Sequence, residues 1–424
     1  MEAKIVVNGV EMDKFTYGIK GLDERFSSAL RPGTTILIAG YPGAGKTTAS
    51  ASLCYKNALL GHPCIYLSFN EHKDKFLLQM KSFGMNFKEL ENKGLFRYIK
   101  LPIVPKKESI SEFINMVSDL VMKYKPKVLV IDGITPMIEV LKEPGTARSF
   151  LQTVLYDIPR IMNGIVVLVA DLPFGEQHIG LGGIEFVADI VFIMRYFVAS
   201  SRIIRMLEIR KLRGAPINIA EVPYRLTEGE GVKVFLPIHP ESVKPPMTKK
   251  SYYFGLKTLD NAIAPIYPGH SILIIYPPHA RSVVLSVAPI IKLMINNDLR
   301  GVVFSCRYSN LELKQYVKGI FNMLSLSRDL VEKHFLGFYG FNPSAMSFQE
   351  LFFKMDSIID EHKPDIVITH GYEIIHKLVE LSGSGLDRLF LLMYNRMLMM
   401  RSKGVIVFRL ISNISDDLFK ALSL

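Results

Sequence analysis

Tryptophan is absent from the 424-residue chain, and cysteine occurs only three times, as Cys54, Cys64 and Cys306. These cysteines are too few and too widely spaced for a disulfide framework or a zinc site. The sequence therefore predicts a reduced protein of the cytoplasm.

Long apolar runs are also missing, although 49% of the residues are hydrophobic. No run approaches the roughly 20 residues of a membrane span. The amino-terminal segment MEAKIVVNGVEM contains acidic residues and no long apolar stretch, so no signal peptide is expected. Short runs such as VLVID, GIVVLVA and SILIIY are typical of strands in a parallel sheet that helices cover on both faces.

A clustered basic region is lacking as well, although the net charge is +11. Residues 1–240 contain 30 Lys+Arg against 24 Asp+Glu, and the remainder contains 21 against 16, which gives +6 and +5. This even spread is typical of a solvated surface and supports at most weak, salt-sensitive binding to polyanions.

Four segments of the first half recur in the same order in the second half. YGIKGLD (17–23) returns as FGLKTLD (254–260), and RPGTTILI (31–38) returns as YPGHSILI (267–274). PKVLVIDG (126–133) matches PDIVITHG (364–371), and NGIVVLVA (163–170) matches KGVIVFRL (403–410). This order predicts a duplicated domain.

A proline-rich stretch separates the two copies and cannot continue a helix or a central strand. We expect a first domain over residues 1–240, a semi-rigid linker over 241–250, and a second domain over 251–424. Both domains are predicted to be α/β, each with a mostly parallel twisted sheet flanked by helices.

A phosphate-binding loop, GYPGAGKT, follows an apolar strand and precedes a helix in the first copy. Its glycines let backbone N–H groups surround a pyrophosphate at the helix amino terminus. We expect Lys46 to contact the β and γ phosphates and the Thr47 hydroxyl to bind Mg²⁺. The nucleotide-binding residues predicted here are Gly40, Tyr41, Pro42, Gly43, Ala44, Gly45, Lys46, Thr47 and Thr48.

Two further strand ends complete the predicted site. The run VLVID ends at Asp132, which we expect to hold Mg²⁺ through its water shell. The strand over 64–69 ends at Asn70 and Glu71. In an open α/β sheet such strand ends lie at one edge, where ligands bind.

The second copy has lost the corresponding groups. Its segment 276–283, YPPHARSV, contains no glycine, and the lysine position is occupied by Ser282 or, with a one-residue gap, by Arg281. Arg307 and Tyr308 stand opposite Asn70 and Glu71, and His370 stands opposite Asp132. We expect an inert structural copy without Walker A and Walker B elements, and keep a different ligand as the alternative.

Together these residues resemble the KaiC-like branch of the RecA superfamily of P-loop ATPases. The resemblance depends on TYGIKGLD (16–23), the phosphate loop, SFNE (68–71), VIDG (130–133) and RMLEIRKLRGAP (205–216), in the family's order. It covers almost all of the first copy but only the framework of the second.

The resemblance implies that ATP binds between neighbouring subunits of a ring, and we expect this ring to be a hexamer. A K-x-R pair on a late strand, here Lys211 and Arg213, would then contact the γ phosphate of the neighbour's nucleotide, as an arginine finger does. A monomer would be nearly inactive.

One departure from the family pattern concerns hydrolysis. Active members commonly carry two adjacent glutamates after the SF strand, whereas this chain has Asn70 and Glu71. An amide orients a water molecule but cannot accept its proton. Either Glu71 substitutes as the catalytic group or hydrolysis is slow, so any ATPase activity is expected to be weak.

Two other segments allow alternatives. The glycine-rich stretch 172–185 is either a loop that senses the γ phosphate or an ordinary connection. The methionine-rich stretch 389–400 is either part of the core, which we favour, or a surface for an unidentified protein partner.

The favoured function is a regulatory switch in which MgATP in the first domain controls assembly or partner binding. The alternative is a recombinase paralogue that assists DNA repair. It is disfavoured because no basic channel loop and no recognisable DNA-binding module are present in the sequence.

Overall fold

The computed structural model describes residues 4–7, 10–102, 108–140, 153–175, 184–199, 202–236, 250–263, 265–277, 280–381 and 386–412. Its contacts divide the chain into two compact units. The first comprises Met1–Phe197 and Ile203–Leu236, and the second comprises Pro237–Leu424 with Val198–Arg202. They are called the first and second domains below.

The first domain contains eleven described strands and eight described α-helices. The strands are β1 Lys4–Val7, β2 Val10–Asp13, β3 Thr35–Gly40, β4 Cys64–Ser68, β5 Phe96–Lys100, β6 Val128–Asp132, β7 Ile165–Asp171, β8 Ile190–Ala199, β9 Arg202–Leu212, β10 Glu221–Thr227 and β11 Gly231–Val234. The helices are α1 Leu22–Phe26, α2 Lys46–Leu59, α3 Lys73–Ser82, α4 Phe87–Asn92, α5 Glu108–Tyr124, α6 Thr135–Val140, α7 Ile158–Ile161 and α8 Ile184–Val187. A 3₁₀ turn, Ser27–Ala29, and a π-helical turn, Thr153–Asp157, complete it.

Nine of these strands form one sheet in the order β11-β10-β9-β8-β3-β7-β6-β4-β5. The six strands from β8 to β5 are parallel, and β10 is antiparallel to both of its neighbours. All side chains of β3, β4 and β6 are buried, as expected for strands that helices cover on both faces. The carboxyl ends of the parallel strands therefore form a common edge.

The second domain has described strands β12 Ser271–Ile275, β13 Gly301–Ser305, β14 Phe335–Gly340, β15 Ile366–His370 and β16 Ile406–Ile411. Its described helices are α9 Lys257–Ile263, α10 Ala280–Asn296, α11 Asn310–Met323, α12 Asp329–His334, α13 Phe348–His362, α14 Tyr372–Leu381 and α15 Leu386–Ser402. The sheet order is β12-β16-β15-β13-β14, and all of its pairs are parallel.

The predicted fold class, two tandem α/β domains with mostly parallel sheets, is confirmed. The methionine-rich stretch lies in α15, where Leu389, Met393 and Met400 are buried. Residues 237–249, which include most of the predicted linker, lie outside the described residues. In the part of the chain that is described, no helix is long and apolar enough to cross a membrane.

Candidate functional site

The phosphate loop joins β3 to α2 at the carboxyl edge of the first sheet. Gly43 and Gly45 have φ values of +74° and +94°, which side chains other than glycine rarely adopt. At Gly40 a Cβ atom would lie 2.1 Å from the carbonyl oxygen of Met194 on β8. The loop is also anchored by the Tyr224 hydroxyl, which donates to the Ala44 carbonyl at 2.6 Å. Its shape is thus set by backbone constraints within this domain.

Lys46, the first residue of α2, is buried and held by an acidic partner. Its Nζ lies 2.8 Å from Asp171 Oδ1 and donates to the Tyr41 carbonyl at 2.9 Å. Asp171 is the last residue of β7, which lies beside β3. The lysine is therefore kept at the phosphate loop by groups that a nucleotide phosphate can replace.

Thr47 and Asp132 are in direct contact, as the predicted metal site requires. The Thr47 hydroxyl donates to Asp132 Oδ2 at 3.0 Å, and the Tyr66 hydroxyl donates to the same oxygen at 2.7 Å. Burial raises the pKa of Asp132 above its ordinary value, although the hydrogen bonds from Tyr66 and Thr47 oppose that shift. A desolvated carboxylate oxygen beside a threonine hydroxyl fits Mg²⁺, which a phosphate loop binds with few protein ligands.

Asn70 and Glu71 follow β4 at the same edge. The Ser68 hydroxyl accepts their two backbone N–H groups, each at 3.2 Å. The Asn70 side chain lies against Gly133, where a Cβ atom would approach the amide nitrogen to 2.5 Å. One carboxylate oxygen of Glu71 is 3.1 Å from Lys75, and the other is buried without a hydrogen-bond partner among the described residues.

Lys211 and Arg213 lie at the opposite edge of the sheet. Arg213 Nη1 is 3.1 Å from Asp189 Oδ1, and Asp189 in turn bonds the backbone of Thr35 at the start of β3. Lys211 Nζ donates to the Phe186 carbonyl at 2.7 Å. The phosphate loop begins at the other end of β3, and its five residue steps span roughly 17 Å at 3.3 Å each. The pair is therefore remote from the phosphate loop of its own copy.

Around Arg213 lies a cleft of about 490 Å³. Its lining includes Tyr156 and Phe186, which are 50% and 75% exposed, and the cation Arg160. Burial lowers the pKa of Lys211, and the neighbouring Arg213 charge adds to this shift while Asp189 opposes it. Exposed rings beside unburied cations are typical of a binding surface.

Asp171 and Tyr66 are site residues that the sequence analysis missed. Asp171 ends an apolar strand, as Asp132 does, and this shared pattern was the available signal. Tyr66 sits within a buried strand and carries no such signal. Of the stretch 172–185, residues 176–183 lie outside the described part, so the γ-phosphate-sensing alternative stays a prediction.

At the same edge of the second sheet, His370 occupies the end of β15 and is largely buried. Its Nε2 lies 2.6 Å from the Tyr276 hydroxyl and its Nδ1 lies 3.0 Å from Ser305 Oγ. Burial lowers the pKa of His370 to about 4, with Glu373 opposing this shift and Arg307 adding to it. The imidazole is thus neutral at physiological pH.

Arg307 makes an internal ion pair at the position opposite Asn70. Its Nε and Nη2 donate to Glu373 Oε1 at 2.9 and 2.6 Å, and Nη2 also donates to Ser412 Oγ at 2.8 Å. Tyr308 stacks on the His370 ring at 5.3 Å. The side chains of Arg281 and Ser282 lie outside the described residues, so their comparison with Lys46 stays a prediction.

Comparison with known proteins gives one family match and several relatives. Residues 15–238 match the family described as "ATPase: KaiC". A UPF0273 protein of Methanopyrus kandleri is 24% identical over 239 residues, which cover 53% of this chain and 92% of that relative.

Two named clock proteins are also similar. The circadian clock oscillator protein KaiC of Nostoc sp. is 26% identical over 318 residues, covering 73% of this chain and 60% of its own length. The circadian clock protein KaiC3 of Synechocystis sp. is 22% identical over 380 residues, covering 88% and 74%. None of these matches favours the recombinase alternative. Because the family match spans more than half of the chain, this protein belongs to the KaiC ATPase family of the RecA superfamily.

Proposed function

We propose that the first domain binds MgATP and uses it as a switch for assembly or partner binding, with slow or absent hydrolysis. In this proposal Gly40 to Thr48 surround the phosphates, and Thr47 and Asp132 hold Mg²⁺. Lys211 and Arg213 of one copy complete the site of its neighbour in a hexameric ring.

The observation that carries the proposal is the placement of Lys211 and Arg213. They lie at the amino end of β3, whereas the phosphate loop follows its carboxyl end. Lys46 at the carboxyl end of β3 and the pair Lys211 and Arg213 at its amino end are too far apart to contact the same nucleotide within one copy. Head-to-tail contact between copies would bring one edge to the other, and such heterologous contacts form rings when the rotation closes.

The contacts of Lys46 and Thr47 explain how a nucleotide could change this surface. Lys46 now pairs with Asp171, and Thr47 with Asp132. Phosphates and Mg²⁺ would take over both partners and present a γ phosphate to Arg213 of the next copy. ATP shifts assembly only if it binds the assembled form more tightly than the free one.

Slow hydrolysis follows from the groups beside the site. Asn70 cannot accept a proton, and its amide packs on Gly133. Glu71 is the remaining candidate base, and Lys75 holds one of its carboxylate oxygens. A bound ATP would therefore persist long enough to act as a signal.

Light scattering with Mg²⁺ and ATP, ADP or no nucleotide tests the switch. We expect ATP to raise the mass of the wild type, but not that of Lys46→Ala or Arg213→Ala. Lys56→Ala, an exposed change on the same helix as Lys46, is the matched control and should assemble normally. A wild type that binds ATP without any change of mass would disprove an assembly switch.

Mixing two defective variants tests the trans arrangement. Arg213→Ala retains its phosphate loop and Lys46→Ala retains its arginine, so a mixed assembly contains some complete sites. We expect ATP-dependent assembly, monitored by fluorescence transfer between labelled copies, to return on mixing. If the mixture behaves as the sum of its parts, Arg213 does not act across the interface.

A further inference from the structure

One helix-covered face of the second sheet carries the buried Arg409, and the partly buried Arg396 of α15 lies beside it. Alternate residues of a strand point to opposite faces, so Val367, Thr369, Val407 and Arg409 share the face covered by α14 and α15. Thr369 and Arg409 are direct neighbours in the register of β15 and β16. His370 points to the other face of the sheet, so the location of Arg409 differs from that of the hydrogen bonds between His370, Tyr276 and Ser305.

Arg409 lies within an interior strand whose six residues are all buried. Only 9% of its surface is exposed. Among the described residues no ion pair or hydrogen bond to its side chain occurs, and its nitrogens are not among the fully enclosed atoms that lack a partner, so they face the adjoining space. An arginine cannot escape this situation by losing its proton. A buried cation without a counter-charge is expensive in free energy.

The neighbouring Arg396 pairs with Asp356, and among the described residues no second carboxylate forms an ion pair with either arginine. Arg396 Nε donates to Asp356 at 2.8 Å, and its Nη1 donates to the Tyr372 hydroxyl at 3.2 Å. Burial opposes the charge of Arg396, yet Asp356 raises its pKa above the ordinary value. Asp356 therefore balances the charge of Arg396 and leaves that of Arg409 without a described counter-charge.

Arg409 and Arg396 line the same cavity. Its wall also includes Thr369, Tyr372 and Met393. The cavity has a volume of about 30 Å³, which exceeds the roughly 10–15 Å³ that one water molecule needs. The cavity therefore has room for about two or three water molecules, and a nucleotide is too large for it.

Burial lowers the pKa of Arg409, Tyr372 opposes this shift, and the nearby Arg396 charge adds to it. The positive charge of Arg409 has no described partner, and the cavity beside it would favour an anion. A guanidinium fork suits the two oxygens of a phosphate or carboxylate group.

We infer that the second domain binds one small oxyanion, a phosphate or a carboxylate, in this cavity, with Arg409 as its main partner. Arg396 supplies a second positive charge, and the Thr369 and Tyr372 hydroxyls are close enough to line the site. Such an anion would stabilise this domain independently of any nucleotide in the first domain.

Equilibrium dialysis with radiolabelled inorganic phosphate in a chloride-free buffer tests this site. The full-length chain should carry Lys46→Ala, so that the phosphate loop does not contribute binding. We expect saturable binding of about one phosphate per chain, lost in Arg409→Met and about tenfold weaker in Arg409→Lys, which lacks the fork. Arg401→Met, an exposed change on α15, should bind as the parent does.

Urea unfolding gives a second measurement that does not depend on a label. Phosphate should raise the midpoint of the parent but not that of Arg409→Met. Without phosphate, the midpoint of Arg409→Met should equal or exceed that of the parent, because an unpaired buried charge has been removed. Equal phosphate binding by the parent and Arg409→Met would overturn the inference, as would no binding by either.

The chain itself is the other source of a carboxylate. Asp416 and Asp417 follow β16 closely in sequence. A variant of the parent with both Asp416→Asn and Asp417→Asn separates the two sources. If this variant binds phosphate and the parent does not, an internal carboxylate fills the cavity, and the inference of an exchangeable anion is disproved.

Discussion

Asp132 and His370 end equivalent strands in the two domains, yet their surroundings differ in charge. Asp132 pairs in register with Ser68, and His370 with Ser305. Around Asp132 the site holds a lysine and two carboxylates in pairs that a ligand can exchange. Around His370 the described charges, Arg307 and Glu373, pair with each other within the domain. The same backbone thus supports a ligand site in one copy and an internally bonded network in the other.

The shared backbone is visible in its hydrogen bonds. Ser305 Oγ accepts the amides of Arg307 and Tyr308 at 3.0 and 3.1 Å, as Ser68 Oγ does for the two residues after β4. Gly371 has φ of +81°, and a Cβ atom there would meet Arg307 Cγ at 2.8 Å, just as one at Gly133 would meet Asn70. These recurrences support the proposed duplication.

The largest difference that we expect between the two domains is in the effect of their variants on ATP affinity. Lys46→Ala removes charged hydrogen bonds worth about 1.5–3 kcal/mol each, so we expect roughly a 100-fold loss of ATP affinity. Arg307→Ala, at the opposite strand end, should leave ATP affinity unchanged. Titration calorimetry measures both, and a loss in Arg307→Ala would mean that the second domain takes part in nucleotide binding.

Loss of the ion pair between Arg307 and Glu373 should destabilise the protein more than loss of the pair between Lys46 and Asp171, although only the latter pair affects ATP binding. Arg307→Met leaves the buried Glu373 with only the Ser412 hydroxyl as a partner. Because Arg307 is itself 38% exposed, we expect a loss of about 2 kcal/mol in the free energy of unfolding. Asp171→Asn should cost less than about 1 kcal/mol, because Asp171 is 45% exposed and Lys46 retains the Tyr41 carbonyl. Urea unfolding of both variants at pH 7 measures the difference. Equal losses would contradict the contrast between exchangeable and permanent pairs.

Acid sensitivity should come from His370. Its folded pKa of about 4 lies below the unfolded value of 6.5, so the unfolded state binds more protons between these values. The stability contributed by this group is complete above pH 6.5 and falls as the pH drops through that window, by on the order of 3 kcal/mol. His370→Gln should flatten the stability profile of the second domain between pH 6.5 and 4. An unchanged slope would assign the acid sensitivity to other groups.

The sequence predicted the parts of the site that are contiguous in the chain. The phosphate loop and the strand ending at Asp132 are local patterns, and the structure brings Thr47 and Asp132 into contact. The partnership of Lys46 with Asp171 depends instead on β7 lying beside β3, and the chain order does not give that neighbour. The ion pair between Arg307 and Glu373 likewise needs the sheet order, because 66 residues separate its members.

The smallest effect that we expect concerns Asp132, because the ionised form of this buried carboxylate lowers the stability of the first domain when no metal is bound. Its folded pKa is raised, so stability falls as the pH rises from the unfolded value through the folded one, and the ionised group destabilises the domain at neutral pH. Asp132→Asn keeps an oxygen that accepts from Thr47 and Tyr66. We therefore expect it to stabilise the nucleotide-free first domain by about 1 kcal/mol while it weakens Mg²⁺-dependent ATP binding. Thermal unfolding with EDTA measures the gain. A loss of stability in Asp132→Asn would show that the carboxylate is a structural group, as His370 is in the second domain.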